Sequence, residues 1–460
     1  MKKRMYKIMA LAMTAAMVVP MAAQTTAFAA DDKEITYWNI AVESPDKDIV
    51  TAAVDKFNKE TESGYTVNQV AIQNDTYKEK LVIAMSSGEC PDMYSSWSGG
   101  PMYEYIDSGF AQPIDDLLDQ SDIKDKLLDA AIEQGSYNGH VYAIPYLNVS
   151  LAGIFYNKDM FKQYGLEEPK TLADLENICA TLKENGITPF ALANASKWTG
   201  SMYFMSLAAR YGGLEPFQNA VAGTGKFTDD CFIKAGDKIQ EWVNNGYFPD
   251  GVNSLSEDDG QAKQLMYQET AGMLLCGSWY AGTFQTDSEE FYQKIGWFPF
   301  PAIDDSDADP TIQIGTVGDQ FICFNCEGDK LAAAFECATD HLSDEVADIT
   351  YSNNKIAPVK DAGDHISDPV VKEIFDAAQE ASSIQLWYDQ YLPTSVASAH
   401  LDGLQEVFGL TKTPQEAQEE MQKAMDEYLS TKSDSGAADD TAEEATDDAA
   451  ADDAAADDAE

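Results

Sequence analysis

The chain has 460 residues, of which 44% are hydrophobic, and this is enough apolar material for two or more domains with large cores. Its formal net charge of -49 at pH 7 argues against nucleic acid as a partner, because phosphates would be repelled rather than neutralised. From Asp434 to the end there are 12 acidic residues and no basic ones. Low complexity and high charge do not offset the entropy of ordering, so we predict a disordered acidic tail over 433–460.

The first 29 residues have the pattern of a secretory signal peptide. Four basic residues precede the apolar stretch Ile8–Val19, and the small-x-small sequence A-F-A follows at 27–29. The alternative is a membrane anchor, but the apolar stretch is short for a span of ~20 residues. The next cysteine along the chain is Cys90. We therefore predict cleavage near Ala29 and an exported protein, extracellular or associated with the cell surface, without a lipid anchor.

Apolar periodicity then predicts strands that alternate with helices, which is typical of an α/β fold with parallel βαβ units. The predicted strands are Glu34–Trp38, Thr66–Ile72, Met93–Trp97, Gly139–Tyr146, Leu151–Asn157, Thr188–Ala191, Met273–Cys276, Gly296–Pro301 and Gln320–Asn325. The clearest predicted helices are one that places Val50, Val54 and Phe57 on one face, then Asp75–Met85, a helix from Lys158 onward, a helix-rich region over Tyr203–Gly246, Val396–Phe408 and Gln415–Leu429.

One stretch stands out, A-G-M-L-L-C-G-S-W at Ala271–Trp279. A short apolar run that ends in glycine is typical of a buried strand followed by a turn. Trp279 then lies near the carboxyl end of the strand, where open α/β sheets bind their ligands, and Gly277 allows a close approach of the backbone. The alternative is a core strand followed by a core tryptophan.

No catalytic motif, metal site or cofactor site is predicted. The chain lacks G-x-S-x-G, a P-loop and H-E-x-x-H, and its four histidines are scattered. The acidic loop that starts at Asp305 resembles a calcium loop but has Pro310 and Thr316 where glycine and glutamate are required, so a solvated loop is favoured. Cys323 and Cys326 lie in a predicted strand and point to opposite faces, which favours a structural role. The sequence does not exclude a carboxylate pair for glycoside hydrolysis, because the chain has 79 acidic residues.

The tryptophans favour a sugar ligand. Trp242 and Trp297 lie in patterns typical of a core, whereas five others lie at strand ends or in loops beside small or polar residues: Trp38, Trp97, Trp198, Trp279 and Trp387. The apolar face of a sugar ring stacks on an aromatic ring, and its hydroxyls need polar partners. Carboxylates such as Asp389 make strong hydrogen bonds to hydroxyls.

Several segments together resemble the carbohydrate-binding group of bacterial ABC-transporter extracellular solute-binding proteins, which includes maltose-binding and raffinose-type oligosaccharide-binding proteins. The resemblance runs from Ile35 to Leu429. It rests on the order and spacing of E-I-T-Y-W, the stretch Tyr77–Tyr94, G-H-V-Y-A-I-P-Y, the stretch Ile154–Phe161, T-P-F-A, A-G-M-L-L-C-G-S-W, F-P-F-P and W-Y-D-Q-Y-L-P at Trp387–Pro393.

The resemblance implies a two-lobed fold of the type II periplasmic-binding-protein kind, with a three-segment hinge and a ligand cleft between the lobes. The implied N-terminal lobe is 30–146 plus 319–357, and the C-terminal lobe is 147–318 plus 358–432. The implied function is that a monomer binds an oligosaccharide and delivers it to the permease of an ABC importer. The stretch W-Y-D-Q-Y-L-P is more similar to the raffinose and α-galactoside binders than to maltose-binding protein, which favours a sugar of that type. The alternatives are a secreted glycoside-active enzyme and a surface sugar sensor or adhesin.

The resemblance also implies the residues that bind the ligand. The stacking side chains are Trp97, Trp198, Trp279 and Trp387. The polar contacts and close backbone approaches are Asn39, Glu43, Ser98, Gly99, Asn148, Asn194, Gly277 and Asp389.

Overall fold

A computed structural model describes residues 33–451, with side chains described to residue 432. The predicted signal peptide at 1–29 lies outside the described residues. The predicted disorder of 433–460 concerns residues beyond the described side chains. Both therefore stay predictions.

The described residues form a mixed α/β structure. Its strands are β1 Glu34–Asn39, β2 Thr66–Ala71, β3 Met93–Ser96, β4 Ser136–Tyr137, β5 His140–Val141, β6 Ala143–Tyr146, β7 Ser150–Asn157, β8 Thr188–Phe190, β9 Ala271–Gly277, β10 Ile295–Pro299, β11 Gln313–Thr316, β12 Gln320–Phe324 and β13 Ile384–Gln385.

The helices cover both sheets and form most of the second half of the chain. They are α1 Asp46–Glu60, α2 Asn74–Ser87, α3 Gly100–Asp107, α4 Asp115–Asp119, α5 Ile123–Lys126, α6 Asp129–Gln134, α7 Lys158–Tyr164, α8 Leu172–Glu184, α9 Trp198–Gly212, α10 Glu215–Val221, α11 Asp230–Asn244, α12 Gln261–Tyr267, α13 Tyr280–Asp287, α14 Glu289–Tyr292, α15 Gly328–Asp340, α16 Asp344–Ser352, α17 Pro369–Glu380, α18 Tyr388–Tyr391, α19 Thr394–Phe408 and α20 Pro414–Ala451, with short 3-10 turns at Val252–Ser254 and Ala362–His365.

The first sheet has the strand order β2-β1-β3-β12-β6. Strands β2 and β3 run parallel to β1, as the alternation of strands and helices predicts. Strand β12 pairs antiparallel with both β3 and β6, so the prediction of parallel units is wrong there. The reason is the path of the chain, because β12 enters this sheet from the other lobe and not through a crossover helix.

The second sheet has the order β13-β11-β7-β9-β8, and β10 also pairs with β7. Only β8 with β9 and β11 with β13 are parallel among the pairs of this described sheet. Strand β7 is antiparallel to β9, β10 and β11, which again differs from the predicted parallel units. All eight residues of β7 and all seven of β9 are buried, so these two strands form the centre of the second lobe.

The chain therefore forms two lobes, each built on its own sheet, and it passes between them three times. The first passage connects β6 to β7, and the second connects β11 to β12. The third lies between α16, which packs on α1 of the first lobe, and α17, which packs on β10 of the second. This is the two-lobed fold with a three-segment hinge.

The residues that the sequence predicts to lie in the core are buried in the structure. Trp242 and Trp297 are buried, and the indole Nε1 of Trp242 donates to Glu176 Oε1 at 2.9 Å. Cys323 and Cys326 are also buried, and all seven cysteines of the chain are free thiols in this structure. Within residues 33–451 no helix has both the length and the apolar character that a membrane span requires.

Candidate functional site

A cavity lies between the two lobes, and side chains from both line its walls. The first lobe contributes Ile40, Asp46, Asn74, Lys78, Trp97, Asp319 and Gln320, and the second contributes Trp198, Met202, Glu257, Asp258, Trp279, Trp387, Asp389 and Gln390. Five of the residues predicted to bind ligand are among them: Trp97, Trp198, Trp279, Trp387 and Asp389.

Three tryptophans form the wall of the second lobe. Trp279 lies in the middle, with its ring centroid 6.0 Å from that of Trp198 and 6.0 Å from that of Trp387. The rings are tilted against each other by 59° and 67°. Because they are not parallel, they offer faces in more than one direction, and a ligand can contact several rings at once. The rings of Trp198 and Trp279 are half-buried, whereas Trp387 is 2% exposed.

Gly277 and Ser278 determine where Trp279 lies. A Cβ atom on Gly277 would be 2.0 Å from Cζ3 of the Trp279 ring, so the indole packs directly on the glycine. The hydroxyl of Ser278 donates to the carbonyl of Val149 at 3.2 Å and accepts from the backbone N–H of Leu151 at 3.3 Å. Gly277 therefore allows the Trp279 ring, two residues further along the chain, to pack directly on its backbone. This contact fixes the position of the ring.

The opposite wall carries Trp97, which follows β3 and is half-buried. Its ring meets that of Tyr77 edge-on at 6.2 Å. The ammonium of Lys78 lies 4.8 Å from the Trp97 ring centroid and 3.7 Å from Asp389 Oδ2 of the other lobe. Burial raises the pKa of Asp389, and Lys78 opposes this shift. Lys78 thus connects the two walls through an aromatic ring and a carboxylate.

Asn148 lies at the hinge, where its polar groups already have protein partners. Its backbone carbonyl accepts from Asp319 N at 2.7 Å, and its Oδ1 accepts from Ile356 N at 2.7 Å. Its Nδ2 donates to Ser150 Oγ at 3.0 Å and to Ser278 Oγ at 3.2 Å. Asn148 is 1% exposed and does not line the cavity. It joins all three hinge passages, which is a positioning role.

Asn194 supports the helix that begins with Trp198. Its Oδ1 accepts from the backbone N–H of Gly200 at 3.0 Å, and its Nδ2 donates to Asn253 Oδ1 at 2.8 Å. It is fully buried and does not line the cavity. Like Asn148, it holds a neighbouring segment instead of facing the cleft.

The remaining predicted residues lie around the cavity and not in its lining. Asn39 is buried, and its Oδ1 accepts from Ala41 N at 3.0 Å. Ser98 is 3% exposed, and among the described residues its hydroxyl has no hydrogen-bond partner. Gly99 packs on the backbone of Gln390. Glu43 is exposed and lies 3.7 Å from Lys263 across the cleft, in a second cavity beside the first.

Besides Asp389, the cleft holds carboxyl groups that sequence reasoning missed. Asp319 lies at the second hinge passage, and burial raises its pKa to about 7, with a further rise from Asp46 and an opposing effect of Lys355. Lys355 is 1% exposed and forms an ion pair with Asp46. Burial also raises the pKa of Glu257 to about 7, although this carboxylate accepts from the hydroxyl of Tyr280.

One aspartate bridges the lobes over the cleft. Asp258 Oδ2 accepts from the backbone N–H of Asp75 in the first turn of α2 at 3.0 Å, and its carbonyl accepts from Gln73 Nε2 at 3.0 Å. A carboxylate at a helix N-terminus is stabilised by the free N–H groups there. The lobes are therefore held close together in this structure. Among the described residues, no cluster of three potential metal ligands is present at this site or elsewhere.

Comparison with known proteins places this geometry in context. The family described as bacterial extracellular solute-binding protein matches residues 41–336. A protein from a study of xylan utilization by the thermophilic bacterium Caldanaerobius polysaccharolyticus is 29% identical, with a TM-score of 0.78 over 85% of this chain and 99% of that chain. A chitin oligosaccharide binding protein has the same TM-score at 23% identity, over 86% and 98% of the two chains, and shows a shared fold.

The curated relatives match shorter segments. An uncharacterized ABC transporter extracellular-binding protein of Pyrococcus horikoshii is 31% identical over 49% of this chain and 50% of its own length. A multiple sugar-binding protein of Streptococcus mutans is 31% identical over 36% and 39%. The chain thus spans about half the length, or less, of these relatives. A probable sugar-binding periplasmic protein of Rhizobium meliloti is 25% identical over 71% and 75%.

Proposed function

This chain belongs to the family of bacterial extracellular solute-binding proteins, and from that premise we propose that it binds a carbohydrate between its two lobes and delivers it to an ABC importer. In this proposal the protein is exported, acts as a monomer and performs no chemistry on its ligand. The lobe boundaries expected from the sequence, 30–146 plus 319–357 and 147–318 plus 358–432, are part of the same proposal.

The observation that carries the proposal is the position of four tryptophans around one cavity. Trp97 lines it from the first lobe, and Trp198, Trp279 and Trp387 line it from the second. Aromatic faces on both sides of a cleft suit the apolar faces of sugar rings. A ligand held between them stabilises the closed arrangement of the lobes, because it has its full set of contacts only when both walls are near.

Polar groups beside these rings suit the hydroxyls of a sugar. Asp389, Asn74 and Gln320 line the cavity, and they supply carboxylate and amide groups. Gln320 Oε1 already accepts from the hydroxyl of Tyr146 at 2.8 Å, which fixes the amide and leaves its N–H₂ as a donor. We assign ligand contacts to Asp389 and the four tryptophans, and positioning roles to Gly277, Asn148 and Asn194.

The class of sugar we propose is an oligosaccharide. An α-galactoside of the raffinose type is the first candidate from the sequence, and a sugar transporter of Bacillus licheniformis in complex with stachyose is among the structural relatives, at 20% identity and a TM-score of 0.68. The relative at 29% identity comes from work on xylan utilization, so a xylo-oligosaccharide is the second candidate.

Isothermal titration with raffinose, stachyose, melibiose, maltotriose, chitotriose and xylotriose tests the proposal. We expect at least one series to bind in the micromolar range or tighter. Trp97→Ala should weaken that binding by about fivefold or more, because a stacked ring contributes about 1–3 kcal/mol. Trp38→Ala is the matched control, since Trp38 is also half-buried in the first lobe but does not line the cavity. No binding by any sugar of the panel would contradict the proposal.

A glycoside-active enzyme is the second candidate, and one observation favours it. Glu257 and Asp319 both line the cavity and both have a pKa raised to about 7, as a general acid requires. The release of reducing sugar from the bound oligosaccharide distinguishes the two functions. We expect none over hours of incubation. If the unaltered protein releases reducing sugar and Glu257→Gln does not, the function is hydrolysis and not transport binding.

A further inference from the structure

A row of hydrogen-bonded side chains crosses the first sheet and ends at the interlobe cavity. It has one member on each of four neighbouring strands, which are Tyr37 on β1, Ser95 on β3, Gln320 on β12 and Tyr146 on β6. Residues that pair across a sheet share a face, and so do residues two positions apart on one strand. The registers of these strands therefore place all four side chains on the same face of the sheet. We call this set the hydroxyl row.

Each member of the hydroxyl row contacts the next. The hydroxyl of Tyr37 lies 3.4 Å from Ser95 Oγ, and Ser95 Oγ lies 2.7 Å from the hydroxyl of Tyr146. The hydroxyl of Tyr146 lies 2.8 Å from Gln320 Oε1. The first three residues are fully buried, whereas Gln320 lines the interlobe cavity. The row thus leads from the core of the first lobe to the cleft.

The buried end of the row determines the direction of its hydrogen bonds. Among the described residues, Ser95 Oγ is the hydrogen-bond partner within reach of the Tyr37 hydroxyl, so Tyr37 donates to Ser95. Ser95 then donates to Tyr146, and Tyr146 donates to Gln320. The reverse direction would leave the buried proton of Tyr37 without an acceptor, which is destabilising. His341 packs on the rings of both tyrosines, but its Nε2 has no hydrogen-bond partner within the described part of the chain and does not accept this proton.

This direction determines which atoms of the Gln320 amide remain for the cleft. Tyr146 donates to Oε1, so Nε2 stays without a hydrogen-bond partner among the described residues. An amide nitrogen donates and does not accept. Burial raises the pKa of both Tyr37 and Tyr146, so the two hydroxyls keep the protons that the arrangement requires. The N–H₂ group of Gln320 can therefore bind an oxygen atom of a ligand in the cavity.

We propose that Tyr37, Ser95 and Tyr146 are positioning residues that hold the Gln320 amide as a hydrogen-bond donor to an acceptor oxygen of the ligand. This inference rests on the proposed function, and it adds residues that determine the chemistry of one contact without touching the sugar. The ring oxygen and the glycosidic oxygens of a sugar carry no proton, so they can bind an N–H₂ group and not an amide oxygen. A reversed amide at Gln320 would lose such a contact.

A double-mutant cycle on the full protein tests the inference with the sugar that binds best in the titration panel. Tyr146→Phe frees the amide to turn, and we expect it to raise the Kd by at least about threefold. Gln320→Met removes the amide and should raise the Kd by at least about fivefold. In the Gln320→Met background, Tyr146→Phe should change the Kd by less than about twofold, because the hydroxyl acts through Gln320. A purely structural role of Tyr146 would weaken binding equally in both backgrounds and would overturn the inference.

Tyr94→Phe is the matched control for Tyr146→Phe. Tyr94 is a fully buried tyrosine of the same sheet, and its hydroxyl donates to the carbonyl of Phe110 at 3.2 Å. It directly precedes Ser95 on β3, so its side chain lies on the opposite face from the hydroxyl row. Tyr94→Phe loses one hydrogen bond, as Tyr146→Phe does, and should leave the Kd unchanged. An equal loss of affinity in both variants would overturn the inference.

The direction of the amide is measured by nuclear magnetic resonance on the protein with 15N-labelled glutamine. The side-chain N–H₂ signals of Gln320 are identified by their loss in Gln320→Met or Gln320→Glu. We expect these protons to exchange rapidly with water in the free protein, and at least about tenfold more slowly with the sugar bound. Slow exchange already in the free protein would show that the N–H₂ group donates to Tyr146.

The outcomes separate this inference from the proposed function. Slow exchange in the free protein, or exchange that the sugar does not slow, overturns the inference and leaves sugar binding intact. If Tyr146→Phe does not fold, the exchange rates of the unaltered protein decide the matter. No binding by any sugar of the panel overturns both the inference and the proposed function.

Discussion

The indole of Trp279 lies so close above Gly277 that a Cβ on the glycine would be 2.0 Å from the ring. Any side chain at Gly277 must therefore displace the central tryptophan of the cleft. We expect Gly277→Ala to lower the free energy of unfolding by about 1–3 kcal/mol, as overpacking does, and to weaken ligand binding by tenfold or more. Thermal unfolding and isothermal titration measure the two effects.

A second glycine of the same sheet provides the control. A Cβ on Gly153 of β7 would be 2.2 Å from the ring of Trp297, and neither residue lines the cleft. Gly153→Ala should cost similar stability and leave the affinity of the folded protein unchanged. If Gly153→Ala lowers the affinity as much as Gly277→Ala does, the effect of Gly277→Ala on binding comes from lost stability alone.

Substitution of Asn148 should affect binding through the hinge. Asn148→Ala leaves the backbone N–H of Ile356 without its acceptor, and each buried group left unpaired costs about 1–3 kcal/mol. We expect a lower melting temperature and a larger radius of gyration in solution scattering. Asn148→Asp keeps an acceptor for Ile356 and should be milder. Lost affinity with unchanged stability and unchanged dimensions would instead indicate a direct ligand contact.

The buried carboxyl of Asp319 predicts a pH dependence of stability. Its folded-state pKa is raised to about 7, above its ordinary value of 3.8, so between these pH values the folded state binds more protons than the unfolded state. Its contribution to stability therefore falls as pH rises from about 4 to about 7, and it is constant above that range. We expect Asp319→Asn to gain stability relative to the unaltered protein across this range, measured by urea unfolding.

The contribution of Asp319 is obtained only from the difference in unfolding free energy between Asp319→Asn and the unaltered protein. Burial lowers the pKa of His341 to about 4 and that of His400 to about 3, and these shifts act in the opposite direction below pH 6.5. Asp305→Asn, which removes a carboxyl from an exposed position, is the control. A difference for Asp319→Asn that does not change with pH would show that folding does not raise the pKa of this carboxyl.

The pair of Glu104 and Thr394 should slow the release of ligand. It joins α3 of the first lobe to α19 of the second, so its energy is present only while the lobes are together. Thr394→Val removes one of its two hydrogen bonds, and we expect ligand dissociation to be faster by about two- to tenfold. Stopped-flow tryptophan fluorescence measures this rate. Ser398→Ala, one turn further along α19, should not change it.

The sequence was sufficient to predict most strands, because buried strands are recognisable as short apolar runs. The predicted strand Leu151–Asn157 is observed as Ser150–Asn157, and the predicted Gln320–Asn325 as Gln320–Phe324. Strands β11 and β13 were missed, since they have only four and two residues. Their pairing partners lie far away along the chain, and local periodicity carries no information on such partners.

The tryptophans of the cleft were recognisable for a similar reason. A large ring beside glycine, serine or asparagine at the end of a strand is unusual, and Trp97, Trp198 and Trp279 all have such neighbours. The carboxyl groups of Asp319 and Glu257 had no comparable signal among 79 acidic residues. Their altered pKa values come from burial between lobes, which only the assembled fold produces.

The position of β12 between β3 and β6 also constrains the order in which the molecule can form during synthesis. The first sheet stays incomplete until residue 324 has left the ribosome, whereas strands β7 to β11 of the second lobe are made earlier. Trp387, which also lines the cleft, comes later still. A contact between segments so distant in sequence forms slowly, because a long loop must close first. A nascent chain therefore holds no complete cleft until residue 387 has been made, and a polypeptide stopped before residue 387 would have three of the four tryptophans that line it.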